Sequence, residues 1–105
     1  MTYSINTSKY TAKKVVDIDG TIFKVRPITT AEQFEIERHK KELDKAIKDE
    51  DIDNLELVYK KVTDVYFSLF DKTDTIKKIF KDIPVDKLAE IYQEIMENAG
   101  NDNEQ

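Results

Sequence analysis

The chain of 105 residues has 17 basic and 22 acidic side chains, a formal net charge of −5, and an apolar fraction of 39%. These totals fit one small, mainly helical domain with densely charged surfaces, and the absence of cysteine excludes disulfides and thiolate metal sites. The acidic balance argues against binding of a nucleic-acid backbone, which needs a concentrated positive face. No apolar run approaches the roughly 18 residues of a membrane span, and the first residues lack the apolar centre of a signal peptide.

The N-terminal quarter predicts a polar arm followed by a hairpin. Residues 1–12 contain only isolated apolar side chains, so we expect an extended or loosely ordered arm. Residues 13–18 and 21–26 are short, β-branched and alternating, and Asp19-Gly20 lies between them. Because Asp-Gly accepts positive φ at both positions, it predicts a two-residue type I′ turn.

The register of this hairpin follows from the turn. Ile18 lies opposite Thr21, and Val16 lies opposite Phe23. These residues share one face with Val25, and the other face is mixed. An isolated hairpin is marginal in water, so the apolar face must pack on the rest of the chain.

The remaining chain predicts four helices separated by polar or proline-containing breaks. Thr29 or Thr30 is the expected N-cap of the first, with Glu32 or Gln33 completing a capping box. Asp74 or Thr75 is the expected N-cap of the third helix, and Gly100 the expected C-cap of the fourth. The predicted helices cover residues 30–49, 53–71, 75–82 and 85–98.

The fold class is therefore mainly α with a small N-terminal β-hairpin (α+β), in which the hairpin packs on a bundle of about four helices. One domain is expected over residues 13–99, preceded by the arm. Residues 100–105 are too polar to pack and are predicted to be a disordered tail.

Helix 53–71 has the strongest apolar pattern, which includes Tyr59 and Tyr66, and is the expected centre of the core. Its apolar residues cover an arc of about 140° at 100° per residue, but Leu57 and Phe67 fall outside that arc. Either the helix is buried on two sides by its neighbours, or these side chains belong to a partner or self-association surface. The candidate partner-binding residues are Leu57, Phe67, Phe70, Tyr92 and Met96.

The stretch VVDIDGTIF, residues 15–23, resembles two chemical motifs without completing either. It is similar to the nucleophile loop of haloacid-dehalogenase-type phosphatases, but no second strand–loop–helix unit follows Asp17 and Asp19. It is also similar to part of an EF-hand loop, yet Val15 and Arg26 would occupy ligand positions one and twelve. We therefore expect a turn here, with no catalytic residue, metal or cofactor.

His39 is the only histidine, and it lies between Ile36 and Leu43, which belong to an apolar stripe that is thin for a helix as long as the first one. A metal site needs three or four ligands, and the sequence offers His39 no partners for one. We expect a half-buried packing residue.

The segment VVDIDGTIFKVRPITTAEQFEIE, residues 15–37, resembles the small tail assembly chaperones of long-tailed phages. Many such proteins begin with a strand pair that contains an Asp-Gly turn, followed by a proline and a charged amphipathic helix. The order of elements in the rest of this chain is similar in outline.

The resemblance implies a non-enzymatic protein that binds the tape measure protein in the host cell cytoplasm and keeps it soluble. It also implies homo-oligomers, and as further partners the tail tube protein or a longer frameshifted form of the same chain. An alternative is a small acidic adaptor of the anti-repressor type, which would cover another protein. A third hypothesis is an enzyme that uses Asp17 and Asp19.

Overall fold

The protein, described here by a computed structural model over residues 2–102, has the predicted α+β architecture, with a short N-terminal sheet packed on helices. The bounds of the last helix are those predicted, and the first long helix ends one residue earlier than expected. In chain order the elements are α1 (Ser8–Thr11), β1 (Lys14–Ile18), β2 (Thr21–Val25), α2 (Thr30–Lys48), α3 (Ile52–Phe67), α4 (Thr73–Ile79), α5 (Val85–Asn98) and β3 (Gly100–Asn101).

The turn between β1 and β2 confirms the predicted Asp-Gly chemistry. Asp19 has a φ of 52° and Gly20 a φ of 90°, so both central residues lie in the left-handed region. The backbone N–H of Gly20 donates to Oδ1 of Asp17 at 2.9 Å. The Asp17 carboxylate therefore stabilises the turn that it precedes.

The predicted register of the hairpin is also confirmed. Val16 pairs with Phe23, and Ile18 pairs with Thr21. Phe23 and Val25 are fully buried, and Val16 and Ile18 pack against the same core. The apolar face of the hairpin thus forms one wall of the core.

The outer edge of β2 is covered by residues 69–71, which the sequence had placed in a helix. The N–H of Arg26 donates to the carbonyl of Leu69 at 2.9 Å, and the N–H of Asp71 donates to the carbonyl of Lys24 at 3.0 Å. The N–H of Lys24 also donates to Oδ1 of Asp71 at 3.0 Å. This segment satisfies the polar groups that an edge strand leaves open.

The prediction of a helix over 53–71 was therefore too long at its C-terminal end. α3 stops at Phe67, because tight turns follow in which Leu69 N–H donates to Tyr66 and Phe70 N–H donates to Phe67. Residues 69–71 then pair with β2. This tertiary contact outweighs the helical preference that the apolar spacing of these residues indicates.

Two other predicted boundaries were wrong. The third helix begins at Thr73 and ends at Ile79, and its N-cap, Lys72, provides no side-chain hydrogen bond. Gly100 does not cap the last helix, since Ala99 is the C-cap and Gly100 pairs with Val15 as the first residue of β3.

The prediction of a disordered tail is therefore wrong for residues 100–102. Residues 100–101 pair with β1, and the N–H of Asp102 donates to the carbonyl of Lys13 at 2.7 Å. Residues 103–105 of that prediction lie outside the described chain. The sheet has the order β2-β1-β3, and both pairings are antiparallel.

The core has two parts. The larger one lies between the sheet, the end of α3, α4 and α5, and a smaller one runs along the α2–α3 hairpin. The larger part contains Phe23, Val25, Phe67, Leu69, Phe70, Ile76, Phe80, Leu88 and Ile95; the smaller contains Ile36, Ala46, Val58, Val62 and Val65.

The molecule is flat and extended for its length. Its radius of gyration is 16.2 Å, against about 13 Å expected for a compact chain of this size. Among the described elements α2 packs only on α3, so the α2–α3 hairpin projects from the body. The predicted extended arm is wrong for residues 8–11, which form α1, and in the segment before it Tyr3 and Ile5 are exposed at 88% and 61%. This shape leaves apolar surface uncovered.

A candidate helix-binding groove

An open apolar groove lies where α2, α3 and the start of α5 meet, and we call it the helix groove. Its volume is about 660 Å³. Three helices contribute side chains to its walls, so its shape depends on how α5 is set against the α2–α3 hairpin. The apolar lining residues are Leu43 of α2, Tyr59, Val62 and Tyr66 of α3, Pro84 at the N-cap of α5, and Val85 and Ala89 of α5.

The helix groove exists because α2 has only one helical neighbour. α2 and α3 run antiparallel and are joined by a tight connection in which Glu50 has a φ of 53°. The Asp51 side chain accepts a hydrogen bond from the N–H of Asn54 at 3.2 Å and caps α3. α5 crosses α3 rather than α2, so no described element fills the space beside Leu43.

Two tyrosines line the floor of the helix groove. The side chain of Tyr59 is exposed at 38%, whereas Tyr66 is half-buried with its ring centroid 6.2 Å from that of Tyr92. Burial raises the pKa of Tyr66, so its hydroxyl stays neutral at physiological pH. The groove therefore offers broad, uncharged contact area with polar groups at the tips of the side chains.

The charges at the helix groove lie on its rim. Lys40 of α2 and Asp86 of α5 are exposed and flank the apolar lining. Rim charges of opposite sign favour one orientation of a bound segment and contribute little affinity.

One polar cluster fixes the start of α2 to the end of the sheet. Arg26 donates two hydrogen bonds of 2.7 Å to the two carboxylate oxygens of Glu32. Oε1 of Glu32 also accepts from the N–H of Thr29 at 3.0 Å, and Thr29 Oγ1 accepts from the N–H of Glu32 at 3.2 Å. This is the predicted capping box, extended by a bidentate ion pair.

The same cluster lowers the pKa of Glu32 to about 2. The hydrogen bonds from Arg26 are the largest cause, burial opposes them, and the hydrogen bonds from Thr29 add to them. The carboxylate is therefore ionised throughout the physiological range.

α5 is tied to this region through Tyr92. The N–H of Ile28 donates to the Tyr92 hydroxyl oxygen at 2.7 Å. Burial raises the pKa of Tyr92, which keeps the hydroxyl protonated. The segment before α2 is therefore joined to α5 through Ile28 and to the first turn of α2 through the Arg26–Glu32 pair.

The five candidate partner-binding residues do not form one surface. Phe67 and Phe70 are buried, with 8% and 5% of their surfaces exposed. Phe80 covers both, since its ring centroid lies 6.5 Å from that of Phe67 and 6.0 Å from that of Phe70. The end of α3 is therefore buried on two sides by its neighbours. Phe67 and Phe70, predicted as partner contacts, are corrected to core residues.

The other three candidates have different surroundings. Tyr92 and Met96 are half-buried and pack against the larger core. Leu57 is exposed at 50% on the first half of α3. It lies with Asp53, Glu56 and Lys60 on a surface separate from the helix groove.

Sequence reasoning missed the residues that form the walls of the helix groove, and none of the five predicted partner-binding residues lines it. Leu43 belonged to a thin apolar stripe on the first long helix, and Val85 and Ala89 begin the last one. Tyr59 and Tyr66 had been assigned to the core. The small number of apolar residues on α2 was the available signal. A helix with a narrow apolar stripe packs on few neighbours and leaves much of its surface open.

The acidic residues of the turn take no part in the helix groove. Asp17 and Asp19 are exposed, and the Asp17 carboxylate accepts a hydrogen bond from the N–H of Gly20. Within residues 2–102, no group of three or more histidine, cysteine, aspartate or glutamate side chains is arranged to hold a metal ion.

His39 is half-buried, as its position on the helix predicted. Its ring lies between two carboxylates on the same helix, with Nε2 3.6 Å from Glu35 and Nδ1 3.5 Å from Glu42. Nδ1 is buried and makes no hydrogen bond to a described residue. The ring covers part of the α2–α3 core.

No family model, no curated protein and no solved structure matches this chain. None of the helices within residues 2–102 is both long and apolar enough to cross a membrane.

Proposed function

We propose that this protein is a tail assembly chaperone of a long-tailed phage, which binds apolar helical segments of the tape measure protein in the host cytoplasm without catalysing a reaction. The observation that carries the proposal is the helix groove, an uncovered apolar surface built from three helices. The resemblance of residues 15–37 to such chaperones supports the same role.

The walls of the helix groove favour a helical occupant. The backbone groups of α2, α3 and α5 are hydrogen-bonded within each helix, so the walls present side chains and few free donors or acceptors. A bound segment must therefore satisfy its own backbone, as a helix does. An amphipathic helix fits with apolar residues at spacings of three and four facing Tyr59, Val62 and Ala89.

The physical role follows from this mode of binding. A long helical protein that has not yet been enclosed by its tube exposes apolar stripes, which promote aggregation. A small chaperone with a negatively charged surface covers one stretch of such a stripe, and its net charge of −5 keeps the complex soluble. Several copies on one client are needed because each contact is short.

Co-expression with an aggregation-prone fragment of the cognate tape measure protein tests the proposal. The wild-type chain is expected to move the fragment into the soluble fraction and to co-purify with it. Tyr59→Asp places a charge in the helix groove and should weaken client binding by about tenfold or more.

The matched control is Leu57→Asp, an exposed substitution on the same helix but outside the helix groove. It should leave client binding unchanged. If the wild-type chain neither solubilises nor retains the fragment, the proposed function is wrong. If Leu57→Asp abolishes binding and Tyr59→Asp does not, the client binds on the opposite surface and the helix groove is not the site.

A further inference from the structure

A second apolar groove lies between β1 and α5, shares no lining residue with the helix groove, and is called here the strand groove. Its volume is about 470 Å³. Its apolar walls are formed by Val16 and Ile18 on β1 and by Ile91 and Ile95 on α5. The client proposed above does not account for this surface.

The strand groove runs along an edge of β1 that is only partly covered. β3 pairs with Lys14 and Val15 and extends no further, whereas the opposite edge of the sheet is covered by residues 69–71. In an antiparallel ladder, alternate residues direct their N–H and C=O to the same side. Asp17, two residues after Val15, therefore presents its backbone to the open side, and within the described chain no backbone partner is found there.

The N-terminal arm has the pattern that this edge would accept. Tyr3-Ser4-Ile5 alternates apolar and polar residues, and Tyr3 and Ile5 are exposed. β1 carries the matching alternation Val16-Asp17-Ile18. If Ser4 pairs with Asp17, the two apolar side chains of the arm lie on the same face as Val16 and Ile18 and enter the strand groove.

The charges of the arm and the strand groove are complementary. The arm, residues 1–12, contains one lysine and no acidic residue, so it carries +1. The ionisable residues that line the strand groove are Asp17 and Glu94, both acidic. Since the whole chain carries −5 and the arm +1, the rest carries −6, which attracts the arm.

We infer that the strand groove binds the N-terminal arm of a second copy of this chain, as a short strand added beside β1. Exchange of identical arms between two protomers is isologous, so each protomer buries one arm and fills one groove. The paired exchange doubles the apolar area removed from water for a single association event. The inference does not depend on client binding at the helix groove.

Disulfide trapping between single-cysteine variants tests this inference, since the natural chain has no cysteine to interfere. Ile5→Cys and Asn98→Cys, at the arm and at the exposed rim of the strand groove, are made in separately tagged chains, mixed and oxidised. The expected product is a mixed disulfide dimer. Ile5→Cys mixed with Leu57→Cys, an exposed position far from the strand groove, is the control and should not cross-link above background.

Each outcome decides the question. A mixed dimer, together with a wild-type mass of two chains by light scattering and a roughly tenfold higher dissociation constant for Ile5→Asp, supports exchange. A monomeric wild type overturns it. A double variant with Ile5→Cys and Asn98→Cys in one chain gives the remaining outcome. If its disulfide forms only within that chain, the arm binds its own groove and the inference is overturned. Absence of any preferential cross-link shows that the strand groove does not take the arm.

Discussion

Substitution of Phe67 by aspartate is expected to unfold the protein. The ring is 8% exposed and packs against Phe80, in the part of the core that joins α3 and α4. Loss of a buried phenylalanine side chain costs about 3–5 kcal/mol, and the ionised carboxylate adds a desolvation cost. Because small domains are stable by only about 5–15 kcal/mol, little or no folded protein should remain, as measured by circular dichroism and urea unfolding.

Leu57→Asp is the control, since it introduces the same charge ten positions earlier on the same helix at a side chain exposed at 50%. It should change the free energy of unfolding by less than about 1 kcal/mol. A Phe67→Asp variant that keeps its helical signal and its stability, and loses only self-association, would show that Phe67 belongs to a partner surface and not to the core.

Substitution of Glu32 by glutamine is expected to lower the free energy of unfolding at pH 7 by about 1–2 kcal/mol. Glutamine keeps one acceptor for the cap but loses the charge that binds Arg26 through two hydrogen bonds. The pKa shift of the carboxylate alone would correspond to about 3 kcal/mol. The smaller figure reflects solvent screening, because the Arg26 side chain is 36% exposed.

The pH dependence gives this prediction a second test. The pKa of Glu32 is lowered from 4.5 to about 2 in the folded protein, so its contribution to stability is complete above pH 4.5. It is lost as the pH falls from 4.5 towards 2. The difference in stability between wild type and Glu32→Gln should therefore shrink over that interval, as measured by urea unfolding at each pH.

Glu37→Gln is the matched control, because Glu37 lies on the same helix and its contacts are exposed, namely an ion pair with Lys40 at 3.6 Å and a hydrogen bond accepted from Gln33 at 3.5 Å. Its effect should stay within about 0.5 kcal/mol. A difference between wild type and Glu32→Gln that stays constant from pH 7 to pH 2.5 would contradict the role given to the Arg26–Glu32 pair.

The features that could be predicted from the sequence are those set by a few neighbouring residues. Asp19-Gly20 fixed the turn type and, through it, the pairing of β1 with β2. The capping box at Thr29 and Glu32 fixed the start of α2. Pro84 fixed the start of α5, because proline favours the first turn of a helix and disfavours helix before it.

The features that could not be predicted depend on contacts between distant segments. Residues 69–71 continue the helical apolar spacing but pair with β2, and a hydrogen-bonding partner more than 40 positions away has no local signal. Gly100 resembles a helix cap in sequence but joins β3 for the same reason. In both places the sheet edge gains partners that local propensity does not reveal.

The candidate site was missed for a related reason. Tyr59 and Tyr66 follow the core periodicity of α3, and only the placement of α5 decides that part of this face stays open. Leu57 and Phe67 both lie off the main apolar arc, yet one is exposed and the other buried, because α4 packs near one end of α3 only. Helical periodicity assigns a residue to a face, but it does not say which neighbour covers that face.

The most direct measurement is a titration of the isotope-labelled protein with a helical apolar segment of the tape measure protein, followed through the backbone amide resonances. The account predicts saturable shifts at Val62, Tyr66 and Ala89, which line the helix groove, with residues around Leu57 unchanged. Shifts confined to the surface around Leu57, or no shifts with a segment that is helical and soluble, would contradict it.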